Sequence, residues 1–188
     1  MYSEAQILEG LLKNEEAAVF EIINLYGDRM LRTAFAITGD AQTAEEVVQD
    51  TFLQVCQKID SFRQHSTLQT WIYRITVNLA KNRLRSRWFK KVTPLAEELT
   101  TQVQIPNNSE NNPETVAIQE ESRREVLSTL QGLSEKYRAV LVLHYLEEQS
   151  IKEISEILKQ PEGTIKSKLS RGKTLLKKEL LKREVVSK

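Results

Sequence analysis

The side chains of this 188-residue chain that could make or break bonds are few and scattered. His65 and His144, the two histidines, stand far apart, and Cys56 is the single cysteine, which excludes an internal disulfide and a cysteine metal cluster. Gly10, Gly27, Gly39, Gly132, Gly163 and Gly172 never gather into a loop that could cradle a phosphate. No nucleophile and base form a recognisable constellation. Neither an enzyme nor a cofactor, a metal or a small-molecule substrate is expected. The residues whose spacing carries chemistry are cations. In "PEGTIKSKLSRGKTLLKKEL" (161–180), Ile165, Leu169, Gly172 and Leu176 recur at helical spacing. At about 100° per residue, Gly163, Lys166, Ser167, Ser170, Arg171, Thr174, Lys177 and Lys178 fall on the far side. Lysine and arginine reach phosphates and guanine edges, serine and threonine reach either, and a helix N-terminus offers free N–H groups to a phosphate. The competing reading is an ordinary amphipathic surface helix.

The elements that must hold this face come just before it. Ser150 and Glu153 form a capping box, S-x-x-E, that opens "IKEISEIL", with Ile151, Ile154, Ile157 and Leu158 on its inner side. A short helix, a proline–glycine break and a second helix are in helix-turn-helix order. Charge elsewhere is laid out in blocks. Residues 1–60 hold 4 Lys/Arg and 11 Asp/Glu, and residues 61–92 hold 8 Lys/Arg and no acid. Residues 93–150 hold 4 and 10, and residues 151–188 hold 11 and 5. The net charge of +1 therefore conceals two basic patches between acidic ones, a layout suited to two contacts on one long polyanion. Solvated helix faces are the alternative.

The chain reads as all-α. A helix capped by Asn14 is expected to run to about Thr38, with Val19, Ile22, Ile23, Tyr26, Met30 and Ala34 inward. Asp40 or Thr43 opens the next, whose buried stripe is Ala44, Val47, Val48, Thr51, Phe52, Val55 and Ile59. After the loop "DSFRQH", Ser66 or Thr67 starts a third helix, with Leu68, Trp71, Ile72, Ile75, Leu79 and Leu84 inward. Trp71 can stack on a base or fill the core, and its spacing with Ile75 favours the core. The stretch from Thr93 to Pro113, polar and rich in asparagine, reads as a flexible linker. This gives domains at 1–92 and 113–188 joined by 93–112. Ser134 caps a helix in the second domain, and His144 sits in its apolar run. No apolar run approaches the roughly 20 residues of a membrane span. The acidic start lacks the order of a secretion signal, so a cytoplasmic setting is expected.

At this point the sequence resembles the extracytoplasmic-function (group IV) sigma factors of the sigma-70 family. "AEEVVQDTFLQVCQKIDSF" resembles their core-polymerase-binding helix, "STLQTWIYRITVNLAKNRLRSR" their −10 promoter helix, and "LSEKYRAVLVLHYLEEQSIKEISEIL" with "PEGTIKSKLSRGKTLL" their −35-binding domain. The resemblance covers nearly the whole chain except the linker. It implies a sigma-2 helical bundle and a sigma-4 helix-turn-helix domain. It implies that Glu46, Gln49, Asp50, Leu53 and Cys56 grip a coiled coil of the largest polymerase subunit. Glu46, Gln49, Asp50 and Leu53 do share one helix face, an exposed leucine among carboxylates. Cys56 reads as a small apolar filler. The resemblance further places Arg74, Asn78, Lys81, Asn82, Arg83 and Arg85 at the −10 element, with Arg87, Lys90 and Lys91 beyond them. The loop Asp60–Thr67 would help to form the base pocket. Gly163, Thr164, Lys166, Ser167, Ser170 and Arg171 fall at the −35 element. Many relatives carry aspartate where Asn82 stands. Leu68 and Ile72 occupy places where primary sigma factors have aromatics, which implies weaker melting. The implied partners are core RNA polymerase, promoter DNA and an anti-sigma factor, the last a possible tether at the membrane. Two other classes are a regulator that binds DNA alone and a helical adaptor that binds only proteins. The first needs a ligand or receiver domain, and the second has no use for two acid-poor basic segments.

Overall fold

The computed structural model describes residues 3–91 and 124–186, and the side chains of 3–86 and 124–183. The linker, Pro113, Arg87, Trp88, Phe89, Lys90 and Lys91 thus lie wholly or in their side chains outside the described residues. All regular structure among those described is helical. Helix α1 spans Glu4–Leu12 and opens on a capping box between Ser3 and Gln6. Its Ile7 and Leu11 are buried, and its Glu4 carboxylate accepts from Leu68 N–H at 2.9 Å. The sequence reading gave this segment no helix, although S-x-x-Q is a capping signal.

Helix α2 spans Glu16–Thr38. Asn14 does not cap it: Glu15 is the N-cap and makes no side-chain cap bond, while Asn14 turns left-handed (φ 56°) and its N–H closes α1 on Leu11 O. The buried stripe follows Ala18, Ile22, Met30, Ala34 and Ile37. Ile23, expected inward, lies about 100° round from Ile22 and is 41% exposed. Gly39 ends α2 at φ 75°, a conformation that suits glycine. Asp40 then caps α3 (Ala41–Lys58) by accepting from Thr43 N–H at 2.8 Å. Ala44, Val47, Thr51, Phe52, Val55 and Ile59 are buried as the periodicity predicts, and Val48 is half-buried. A 3₁₀ turn (Ile59–Ser61) leads to α4 (Leu68–Lys91), whose Thr70 N–H donates to Thr67 Oγ1 at 3.1 Å.

The second domain comprises α5 (124–132), α6 (Glu135–Leu141), which continues as a π-helical turn (Val142–Leu146), α7 (Ile151–Leu158) and α8 (Glu162–Val186). Ser134 is the N-cap of α6, though its hydroxyl makes no cap bond. The Ser150–Glu153 capping box is present with both bonds. A Cβ on Gly172 would stand 3.2 Å from Leu141 Cδ1, so glycine lets α8 approach α6 closely there.

The two domains pack face to face, α4 on α7 and α2 on the π-helical turn. Tyr73, Val77 and Ala80 of α4 share one buried cluster with Val140, Leu143, Ile154 and Ile157. Burial of this kind stabilises by about 25 cal/mol per Å² of apolar surface.

Candidate nucleic-acid interface

The face of α8 is set by what lies beneath it. Ile165 and Gly172 are buried and Leu169 and Leu176 half-buried, which fixes the helix rotation. Gly163, Lys166, Ser167, Ser170, Arg171, Thr174, Lys177 and Lys178 are consequently exposed, and Thr164 is half-buried. Lys159 in the left-handed region ends α7, and Thr164 and Ile165 N–H groups close the first turn of α8 on Pro161 O. Ser167 and Thr174 hydroxyls donate to carbonyls one turn back. The outcome is a solvent-facing strip of cations and hydroxyls on a rigid seam, matched to a polyanion.

On α4, Asn78 and Asn82 are exposed one turn apart. The described cations beside them are engaged. Arg74 Nε donates to Glu156 O of α7 at 3.1 Å. Lys81 and Arg85 share the Glu135 carboxylate of α6, at 3.2 and 3.6 Å. Arg83 bridges Asp50 at 2.8 Å and Glu46 at 3.5 Å on α3. Leu68 and Ile72 are fully buried and have no face for a base. Trp71 is half-buried with its ring centre 5.1 Å from that of Phe62. In the preceding loop Asp60, Arg63, Gln64, His65 and Thr67 are exposed.

The α3 face is only partly as the sequence suggested. Gln49 is exposed and Leu53 is 58% exposed, but Glu46 and Asp50 are half-buried against Arg83. Cys56 is half-buried and lines an open groove of about 310 Å³ with Leu11, Val19, Phe20 and Ile23. Phe20, at 67% exposure, went unnoticed in the sequence. The sign was an i, i+3 apolar pair, Phe20 and Ile23, outside the α2 stripe.

The residues joining the domains were not foreseen. Glu147 is buried and accepts from Tyr73 Oη at 2.5 Å and Arg29 Nε at 3.4 Å. Burial, and then the Glu147 charge, push the Tyr73 phenol far above its usual range. Arg138, also buried, donates to the carbonyls of Ile37, Gln131 and Leu133. His144 is half-buried, its Nδ1 3.1 Å from Gln149 O.

Comparison with known proteins matches residues 22–90 to sigma-70 region 2 and residues 123–176 to sigma-70 region 4. The ECF RNA polymerase sigma factor SigW of Bacillus subtilis is 32% identical over 172 residues, covering 89% of this chain and 91% of that one. The chain belongs to the extracytoplasmic-function sigma factors of the sigma-70 family. The RNA polymerase sigma-H factor of Pseudomonas aeruginosa is 28% identical to this sigma factor over 94% of its length and 93% of the relative's. Two solved structures share the fold. One is the sigma factor RpoE with the anti-sigma factor NepR from Bartonella quintana, with TM-score 0.68, 23% identity and coverage of 86% and 95%. The other is CnrH with the cytosolic domain of CnrY, with TM-score 0.67, 20% identity and coverage of 93% and 94%. As a member of this family, the sigma factor directs RNA polymerase in initiating transcription and acts with core polymerase on promoter DNA. The family comprises transcription regulators. Among the described residues no helix is long and apolar enough to cross a membrane.

Proposed function

We propose that this sigma factor reads the −35 element with Gly163, Thr164, Lys166, Ser167, Ser170 and Arg171. Arg74, Asn78, Lys81, Asn82, Arg83 and Arg85 then hold and melt the −10 element, and Glu46, Gln49, Asp50, Leu53 and Cys56 dock on the coiled coil of the largest polymerase subunit. The observation that carries this reading is the exposed strip on α8, a run of cations and hydroxyls seated on a buried seam directly after a capped helix. The functional units are 1–92 and 113–188, joined by 93–112, so that each basic surface reaches its own promoter element. The chain has no catalytic role of its own, since the bond-making chemistry belongs to the polymerase. It works in the bacterial cytoplasm, where an anti-sigma factor holds it in reserve. The similar solved structures, complexes with NepR and CnrY, support that partner, and a membrane-anchored partner would hold the chain at the membrane.

Core-enzyme pull-down and promoter gel shift test this reading. Glu46→Lys with Asp50→Lys reverses the α3 charge and repels Arg83. The two lost ion pairs are partly exposed and cost about 0.2–1 kcal/mol each, so the variant stays folded. It is expected to lose core binding, and wild-type promoter DNA is expected to shift well only with core polymerase present. Full retention of core enzyme by the folded variant refutes the α3 assignment.

A further inference from the structure

Where α4 meets the second domain, a cleft of about 360 Å³ opens between the domains. That volume is at the lower end of small-ligand pockets. Lys81 and Arg85 enter it from α4, Lys136 from α6 and Lys168 from α8. Among the described residues lining it, Glu135 is the one carboxylate, and both of its oxygens are already engaged, one by Lys81 and one by Arg85. The other two cations have neutral partners. Lys168 Nζ meets the Gln160 side-chain oxygen at 2.6 Å, and Lys136 Nζ lies 4.9 Å from the Tyr137 ring centre. Burial first, and then the neighbouring Lys81 and Lys136, hold the Lys168 ammonium below its usual range.

Closure sets the two α4 cations beside Lys136 and Lys168 with one carboxylate among the four, whereas elsewhere across the domains Arg29 meets the Glu147 carboxylate and Arg74 and Arg138 donate to backbone carbonyls. A concave surface lined mainly by one sign of charge concentrates such a field. Lysines neutralise a phosphate as point charges, and arginine adds a planar fork. We propose that this interdomain cleft binds a phosphate-bearing anion of the size of a di- or triphosphate group. Its occupation holds the domains together and withdraws Lys81 and Arg85 from DNA. The consequence for DNA rests on the −10 assignment above, whereas the binding site does not.

Calorimetry and thermal unfolding with pyrophosphate on the full free chain, with potassium chloride at matched ionic strength as control, test the site without polymerase or promoter. A saturable rise in Tm is expected for the wild type beyond the chloride control. The Lys136→Ala, Lys168→Ala double variant lies outside all three assigned surfaces and relieves repulsion, so without pyrophosphate it should unfold no earlier than wild type. Its affinity for pyrophosphate should fall at least about tenfold. Competition by a short single-stranded oligonucleotide separates the sources: displacement of pyrophosphate identifies nucleic-acid backbone as a physiological occupant, and no displacement identifies a free phosphate compound. Either outcome upholds the cleft as a phosphate site. A Tm that tracks ionic strength alone, or equal pyrophosphate affinity in the double variant, overturns it. The core pull-down is read separately, so failure of one leaves the other standing.

Discussion

Burying Glu147 removes a carboxylate from water, and the fold offsets that cost with one phenol and one guanidinium while Oε1 has no hydrogen-bond partner. Tyr73→Phe removes the shorter of the two bonds and fills the same volume. A buried acceptor left short of a donor costs about 1–3 kcal/mol, so the urea midpoint should drop with the m-value unchanged. An unmoved midpoint means that the phenol does not hold the carboxylate. The residues proposed to face DNA separate in a different way. Lys166 and Arg171 are exposed on α8, and Asn78 and Asn82 are exposed on α4. Lys166→Ala with Arg171→Ala should weaken −35 protection in footprints by about 1–3 kcal/mol per lost base contact and flatten the salt dependence. Asn78→Ala with Asn82→Ala should leave −35 protection and reduce permanganate-reactive thymines near −10. Loss of −10 melting with intact −35 protection in the Lys166/Arg171 variant would show that the two surfaces had been assigned the wrong way round.

At the level of elements, α7 depends on its cap. Ser150 Oγ accepts from Glu153 N–H at 3.2 Å, and Ser150 N–H donates to the Glu153 carboxylate at 2.8 Å. Ser150→Ala should cost about 1 kcal/mol of global stability. Bonding to the Ser150 side chain, and then to its backbone, holds the Glu153 carboxyl below its ordinary 4.5. A lowered folded-state pKa gives stability that is present above the unfolded value and lost as pH falls through the folded one. The Tm difference between wild type and Glu153→Gln should therefore narrow from neutral pH toward about pH 4; a difference constant over that range excludes the carboxylate's role. This cap and the Ile165–Leu169–Gly172–Leu176 seam were legible because their signals lie within a few residues. Helix α1 carries the same kind of signal at Ser3 and Gln6, set in an acidic stretch whose composition by itself indicates no helix. Residue preference alone favours Asn14 as the cap, but Glu15 holds that place through backbone geometry. The contacts of Tyr73, Arg138 and Arg29 across the domains span 74, 101 and 118 positions, beyond any periodic pattern. Glu147 follows an apolar run, and nothing in the local pattern marks it as buried.

In the molecule as a whole, the two surfaces proposed to read the promoter stand differently. The α8 strip is open to solvent, whereas on α4 Arg74 is tied to α7, and Lys81 and Arg85 to α6. On the proposed −10 assignment, release of α4 precedes full use of its cations, and Glu135 is the group that holds two of them. Glu135→Lys turns two attractions into repulsions at a side chain only 24% exposed and adds a fifth cation to the cleft. The free variant should bind a short single-stranded oligonucleotide about threefold to tenfold more tightly than wild type, the worth of two partly exposed ion pairs. Added positive charge alone also strengthens DNA binding, so the comparison needs a charge-matched control. Glu9→Lys serves, since Glu9 lies on α1 in a pair with Lys13 and touches neither basic surface. Fluorescence anisotropy supplies the affinities. Dyes at the exposed positions Gln57 and Lys173 report the spacing of the two domains, which should lengthen in Glu135→Lys and stay constant in Glu9→Lys. An equal gain in affinity for both variants, with an unchanged dye distance, would mean that the closed arrangement does not restrain the −10 surface.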